Sequence, residues 1–359
     1  MNVVEVIDWM DARLDLLEEW LHEIMPGLSG FDREQWQVVP VSGDASFRRY
    51  FRVLSGANSW IAVDAPPEKE DSQPFIAVAE TLLEQGVAVP RIYRFDLDQG
   101  FMLLSDLGDE LYLGHLDDDK VDRLYTEALD ALLLIQECAG LKQGVLPPYD
   151  HALLTREVEL FRDWFLQKLL GLELSDDEQS EVGRLFHYVI DSALEQPVVF
   201  VHRDYHSRNI MYREGQAPGI IDFQDAVLGP VTYDLVSLLR DCYIAWPDEQ
   251  VYRWVEEYRL KLIGSGKMMP DSRHFQRWFD LMGAQRHLKA IGIFSRLLIR
   301  DGKPGYLEDI PRTFAYLLSV ARKTYELEPA FELLGNKVVP AMYGSEYFSD
   351  QLLDQWLKP

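Results

Sequence analysis

Cysteine is scarce. The 359 residues hold two, Cys138 and Cys242, which form neither a disulfide framework nor a metal-ligand spacing and read as free thiols in a reduced compartment. Positive charge is scarce as well: 35 Lys and Arg face 60 Asp and Glu, a formal net charge of −25. Such a surface repels a nucleic-acid duplex or an anionic membrane. No apolar run approaches the ~20 residues of a membrane span. Asp8, Asp11, Asp15, Glu18 and Glu19 are foreign to a signal or transit peptide. A soluble cytoplasmic protein is expected, with no nucleic-acid, membrane or evident protein partner. Repeats and low-complexity tracts are absent too. What remains is ordinary globular material, 47% hydrophobic and 26% charged, and enough chain for two domains at ~150 residues each.

Ile7, Met10, Leu14, Leu17, Leu21 and Ile24 recur at helical spacing until Pro26-Gly27 stops them. From Trp36 the period becomes two, with strands expected at Gln37–Val41, Phe47–Val53 and Trp60–Val63. A helix follows over Ser72–Gln85, with Ser72 as N-cap and Phe75, Val78, Ala79 and Leu82 turned inward. Strands Arg91–Phe95 and Phe101–Ser105 complete a small sheet. Beyond Gly108 the pattern is helical to about Tyr325, broken by an apolar strand at Val198–Val201 and a polar loop at His202–Asn209. The expectation is an α+β protein of two lobes, a β-rich one over 1–107 and a mostly helical one over 108–359.

The strand at Val198–Val201 delivers a loop bearing Asp204 and, five residues later, Asn209. Downstream, the strand Gly219-Ile220-Ile221 ends in Asp222. Phosphoryl transfer needs these parts: a carboxylate to take the acceptor's proton, and amide and carboxylate oxygens to hold Mg²⁺ against phosphates. His202 and His206 do not make a zinc site, because a helix and a third ligand are missing.

His202-Arg203-Asp204 with Asn209, followed by Ile221-Asp222-Phe223, resembles the aminoglycoside phosphotransferase and choline kinase family. The resemblance implies a bilobal protein-kinase-like fold, with ATP and Mg²⁺ as cofactors. It makes Asp204 the catalytic base and Asn209 and Asp222 the metal ligands, with His202 and Asp234 supporting the loop. Asp64-Ala65-Pro66-Pro67, Asp222-Phe223-Gln224-Asp225-Ala226 and Arg240-Asp241-Cys242-Tyr243 are similar to the bacterial anomeric sugar kinases of cell-wall recycling. Those enzymes phosphorylate the C1 hydroxyl of N-acetylmuramate and N-acetylglucosamine to the α-1-phosphate. A kinase of another small alcohol, such as an aminoglycoside, and a non-catalytic nucleotide-binding regulator stay open.

For the nucleotide, Ser42, Gly43 and Ser46 occupy a loop whose backbone N–H groups suit phosphates. Arg49, in the cluster Arg48, Arg49 and Arg52, offers charge, and Ser105 and Leu107 lie where adenine is expected. Where the family carries a third-strand lysine paired with a helix glutamate, this chain has Asp64, with Glu80 on the helix. Lys69 or one of the three arginines is the candidate replacement. For the acceptor, Arg240, Asp241, Tyr243 and Arg286 are the candidates. Arg286 belongs to a basic stripe with Lys289, Arg296 and Arg300 that reads first as a solvated helix face.

Overall fold

The computed structural model describes residues 3–41, 47–138 and 146–358, with side chains from residue 12 onward. They fall into two compact units: residues 3–111 with 210–224, and residues 112–209 with 225–358.

In the first unit five antiparallel strands lie in the order β1-β2-β3-β5-β4: β1 (Trp36–Pro40), β2 (Arg49–Ser55), β3 (Asn58–Asp64), β4 (Ile92–Asp96) and β5 (Phe101–Ser105). β2 and β3 join through a two-residue turn in which Gly56 takes φ 59°, a conformation that glycine adopts without a Cβ penalty. Strand alternation puts Phe51, Val53, Trp60, Ala62, Phe101 and Leu103 on one face, packed against Leu17, Trp20 and Leu21 of helix α1 (Val3–Ile24). Helix α2 (Gln73–Glu84) buries Phe75, Val78, Ala79 and Leu82. Arg48, of the opposite strand parity, lies 5.8 Å from the Phe75 ring, so α2 covers the other face. Ser72 sits at the N-cap position but makes no capping hydrogen bond. Asp71 takes that role, its Oδ1 accepting from Gln73 N at 2.9 Å, because a carboxylate is the stronger acceptor.

The second unit is mostly helical. It contains α3 (Val121–Gln136), α4 (His151–Leu160) running into a π-helical turn (Phe161–Leu169), and α5 (Asp176–Leu194) with a capping box at Ser175 and Glu178. Strand β6 (Val198–Val201) leads to the polar loop. The hairpin of β7 (Ile210–Met211) and β8 (Gly219–Ile220) belongs to the first unit, tied there by Tyr212 N to Glu110 O and Ile220 N to Ala88 O. The chain returns through β9 (Val227–Pro230), which pairs antiparallel with β6. Then come α6 (Tyr233–Leu239), α7 (Asp248–Gly264), α8 (Ser272–Asp301) and α9 (Ile310–Lys323). Three short helices close the chain, α10 (Glu328–Leu333), α11 (Val339–Tyr343) and α12 (Asp350–Leu357). They escape a periodicity reading because each is shorter than the window such a reading needs. Among the described residues no helix is long and apolar enough to cross a membrane.

Helix α8 is the axle of this unit. Its 30 residues span ~45 Å at 1.5 Å per residue, and it packs on α4, α5, α6, α7 and α9. Residues Leu281 to Lys289 are buried without interruption. At Gly292 the helix meets the junction of α4 with the π turn so closely that a Cβ would stand 2.6 Å from Phe161 N. Gly292→Ala gains ~1 kcal/mol of helix propensity, yet forces two backbones apart. We expect a net loss of about 1–3 kcal/mol, read as a lower midpoint in urea unfolding.

Candidate active site

The loop after β6 is clamped at both ends by buried carboxylates. Asp234, in the first turn of α6, accepts from His202 N at 2.7 Å and Arg203 N at 3.0 Å. Asp241, just past the end of α6, accepts from Ser207 N at 3.0 Å and Ser207 Oγ at 2.5 Å. Within the loop Asp204 N donates to His202 Nδ1 at 3.3 Å, and Asn209 Nδ2 donates to Asp204 O at 3.0 Å. Tyr205 OH pins the middle to Ala128 O at 2.7 Å. Arg203 adopts φ 77°, a left-handed conformation that costs a side-chain-bearing residue ~1–2 kcal/mol and turns the chain so that its two neighbouring N–H groups converge on Asp234. Burial pushes the Asp234 carboxyl up to about 7, against the pull of those two donors. Thr232, at the N-cap position of α6, makes no capping bond and gives its hydroxyl to Gln196 Oε1 at 2.7 Å.

Burial alone would raise the carboxyl of Asp204, but Lys289, His206, Arg286 and His202 surround it and hold it at about 2. It is therefore a carboxylate at neutral pH, ready to accept a proton. Lys289 is held, together with Arg203, by Glu157 of α4. Its Oε1 takes Arg203 Nη2 at 2.7 Å and Lys289 Nζ at 3.3 Å, and Tyr149 OH donates to its Oε2. These opposing charges hold Glu157 below the ordinary carboxylate range in spite of burial. Lys289 Nζ also reaches Tyr233 OH at 3.0 Å. The basic stripe on α8 is thus no solvated face at its N-terminal half: Arg286 and Lys289 are buried, while Arg300 alone is fully exposed.

Asn209 commits its amide nitrogen to Asp204 O, which turns its carboxamide oxygen into the end with acceptor capacity. Asp222 stands at φ 66° after β8, with its Oδ1 accepting from Gln224 Nε2 at 2.6 Å. Phe223, fully buried, stacks on Phe75 at 4.9 Å and anchors that strand end. Among the described residues no cluster of three His, Cys, Asp or Glu forms a closed metal cage. An amide oxygen and a carboxylate are each the kind of hard donor that Mg²⁺ takes.

Ser42, Gly43 and Ser46 lie outside the described residues. The arginines that follow are committed. Arg48 pairs with Glu70 at 3.3 Å, and Arg52 pairs with Asp106 at 2.6 Å and Asp109 at 2.7 Å. Arg49 donates to Asp64 Oδ2 at 2.9 Å through Nε, and Arg13 of α1 donates to Asp64 Oδ1 at 2.8 Å. Asp64, wholly buried, and Arg49 share the α1 face of the sheet. Arg49, expected as a nucleotide contact, is turned by strand alternation to the face opposite α2 and gives its guanidinium to Asp64. Glu80 is exposed on α2. Lys69 lies over the Phe47 ring at 5.5 Å. Ser105 Oγ accepts from Arg91 N at 2.9 Å, and Leu107 packs against Gly219, where a Cβ would stand 2.9 Å from its Cδ1.

On the acceptor side two expectations need correction. Asp241 is 1% exposed and its oxygens serve Ser207 and Tyr243 N, so it positions the loop. Arg240 pairs with Asp248 at 2.7 Å and lies over the rings of Tyr316 and Tyr252, lining a cavity between α7, α8 and α9. Arg286, also buried, directs Nη1 at Cys242 Sγ, 3.8 Å away, and contributes to the field on Asp204. Tyr243 is half-buried, with His206 edge-on at 5.3 Å and the Arg208 guanidinium 3.7 Å from its ring centre.

The phosphotransferase enzyme family matches residues 37–270. The chain belongs to this family. It is 47% identical over 333 residues to the N-acetylmuramate/N-acetylglucosamine kinase of Pseudomonas aeruginosa, covering 91% of this chain and 97% of that protein. To the kinase of the same name from Neisseria meningitidis it is 40% identical, over 89% of this chain and 94% of the relative. The fold is that of the ethanolamine kinase of Plasmodium vivax, with a TM-score of 0.60 at 13% identity over 81% of this chain and 84% of that one.

Three functional side chains carry no local sequence signal: Arg13, Glu157 and Lys289. Their partners stand 51, 46 and 132 positions away, and an isolated Glu or Lys in a helix reads as surface. Lys289→Met removes the strongest cationic influence on Asp204, so the carboxyl rises from about 2 towards its ordinary range. The acid limb of kcat/KM should move up by about 1–2 pH units, measured as a pH–rate profile against the parent protein.

Proposed function

We propose that the protein transfers the γ-phosphoryl group of ATP to the anomeric C1 hydroxyl of N-acetylmuramate and N-acetylglucosamine, releasing the α-1-phosphate in the cytoplasm as a step of peptidoglycan recycling. The observation that carries this reading is the near-full-length identity to two amino-sugar kinases, together with a loop that presents an ionised Asp204. In this scheme Asp204 orients the hydroxyl and takes its proton as the oxygen attacks phosphorus. Asn209 and Asp222 supply oxygens to Mg²⁺, which neutralises charge on the phosphates when bound. His202, Asp234 and Asp241 act through the loop backbone. Positioning and charge supply most of the rate, as they do in phosphoryl transfer generally.

The third-strand lysine has a substitute in this proposal. Arg48 faces the α2 side of the sheet, is 5% exposed, and is paired with Glu70 just ahead of α2. A cation and a carboxylate in that relation serve as the lysine–glutamate pair does. Ser42, Gly43 and Ser46 then offer backbone N–H groups to phosphate, and the segment of Ser105 and Leu107 offers backbone groups to adenine.

Phosphorus NMR of the protein with MgATP and either sugar tests the reading. A new sugar phosphate resonance coupled to the anomeric proton is expected. Asp204→Asn should lower kcat by about 10²–10⁴-fold. A rate close to that of the parent removes Asp204 as base, and a product formed with an aminoglycoside in place of the sugars redirects the assignment to that acceptor.

A further inference from the structure

We infer that Arg208 is a specificity determinant that binds an acceptor's carboxylate, and that it sets the preference for N-acetylmuramate over N-acetylglucosamine. This rests on the amino-sugar reading above and names the group that tells the two acceptors apart.

Arg208 sits between Asp204 and Asn209 on the doubly clamped loop, and Ser207, its neighbour, is held by Asp241. Its position is therefore fixed by the same bonds that fix the base. The guanidinium lies 3.7 Å from the centre of the Tyr243 ring, and Tyr243 N is itself bonded to Asp241 Oδ1 at 3.0 Å. Stacking occupies one planar face of a guanidinium and leaves its N–H edge available for a bidentate anion.

Arg208 forms no ion pair or hydrogen bond among the described residues. The other arginines near it are engaged: Arg203 with Glu157, Arg286 with Cys242 Sγ, and Arg312 with Cys242 O and Asp309. Asp309 feels the charge of Arg208, but its carboxylate is bonded to Arg312 at 3.1 Å. In a chain of net charge −25, a half-buried arginine beside the base with no carboxylate of its own marks the place of an incoming anion.

Two anions are candidates, the phosphates and the acceptor. N-acetylmuramate differs from N-acetylglucosamine by a lactyl ether on O3 that ends in a carboxylate. Of the groups that frame Arg208, which are His206, Tyr243 and Asp309, His206 also faces the base that must meet the acceptor hydroxyl. We therefore assign the acceptor's carboxylate to it. Being partly exposed, the guanidinium can stay hydrated when the neutral sugar binds, so one site can serve both.

The test is the ratio of kcat/KM for N-acetylmuramate to that for N-acetylglucosamine in the parent protein, Arg208→Gln and Arg208→Lys. A charge-assisted hydrogen bond predicts a ratio about 10–100-fold lower in Arg208→Gln and partly restored in Arg208→Lys. The neutral sugar reports folding and catalysis in the same sample. An equal fall for both sugars makes Arg208 a phosphate or loop group and overturns the inference, as does an unchanged ratio. A parent protein that phosphorylates neither sugar overturns the amino-sugar reading and this inference with it.

Discussion

Two carboxylates seven residues apart, Asp234 and Asp241, hold both ends of one loop, and the chemistry of the second unit depends on that clamp. Each is buried, and each accepts backbone N–H groups of a loop too short for regular structure. Burying a carboxylate costs several kcal/mol unless it is hydrogen-bonded. These two are retained where an apolar side chain would pack with less penalty. What the molecule gains is an Asp204 whose backbone cannot wander by the ~1 Å that would degrade an attack geometry.

Charge inside the protein follows one rule. Glu157 gathers Arg203, Lys289 and Tyr149, and Lys289 in turn depresses Asp204. Asp64 gathers Arg13 and Arg49 in the other unit. In both cases a single buried carboxylate draws in two cationic side chains. The left-handed turn at Arg203 belongs to the same arrangement, since its ion pair and its N–H bond to Asp234 offset the conformational cost.

The sheet and helices were legible because their signals are local. Period two marks Phe51, Val53, Trp60 and Ala62, and period 3.6 marks Leu17 and Leu21, so both faces of the sandwich of α1 and the sheet could be drawn in advance. The loop was legible because Asp204 and Asn209 lie five apart on one polar stretch. The charge partners were not. Whether Arg49 faces α1 or α2 turns on a one-residue parity at the start of β2, and nothing in Asp241 itself distinguishes a carboxylate aimed at solvent from one aimed at Ser207. Lys289 looked like surface because α8 is buried on every side over one stretch, which erases the amphipathic pattern that tells inside from outside.

The family match begins at residue 37 and ends at residue 270. Arg13 lies before it; Arg286, Lys289 and Asp309 lie after it. The shared segment thus carries Asp204, Asn209 and Asp222, while one of the two arginines on Asp64 and two of the cations that act on Asp204 come from helices outside it. A fragment cut to the shared segment would keep every motif and lose the electrostatic setting that makes them work. For inheritance the division has a different meaning. The reaction can be kept constant in the common segment while α1, α8 and the C-terminal helices vary, so the charge around Asp64 and Asp204 is free to be retuned without touching the motif itself.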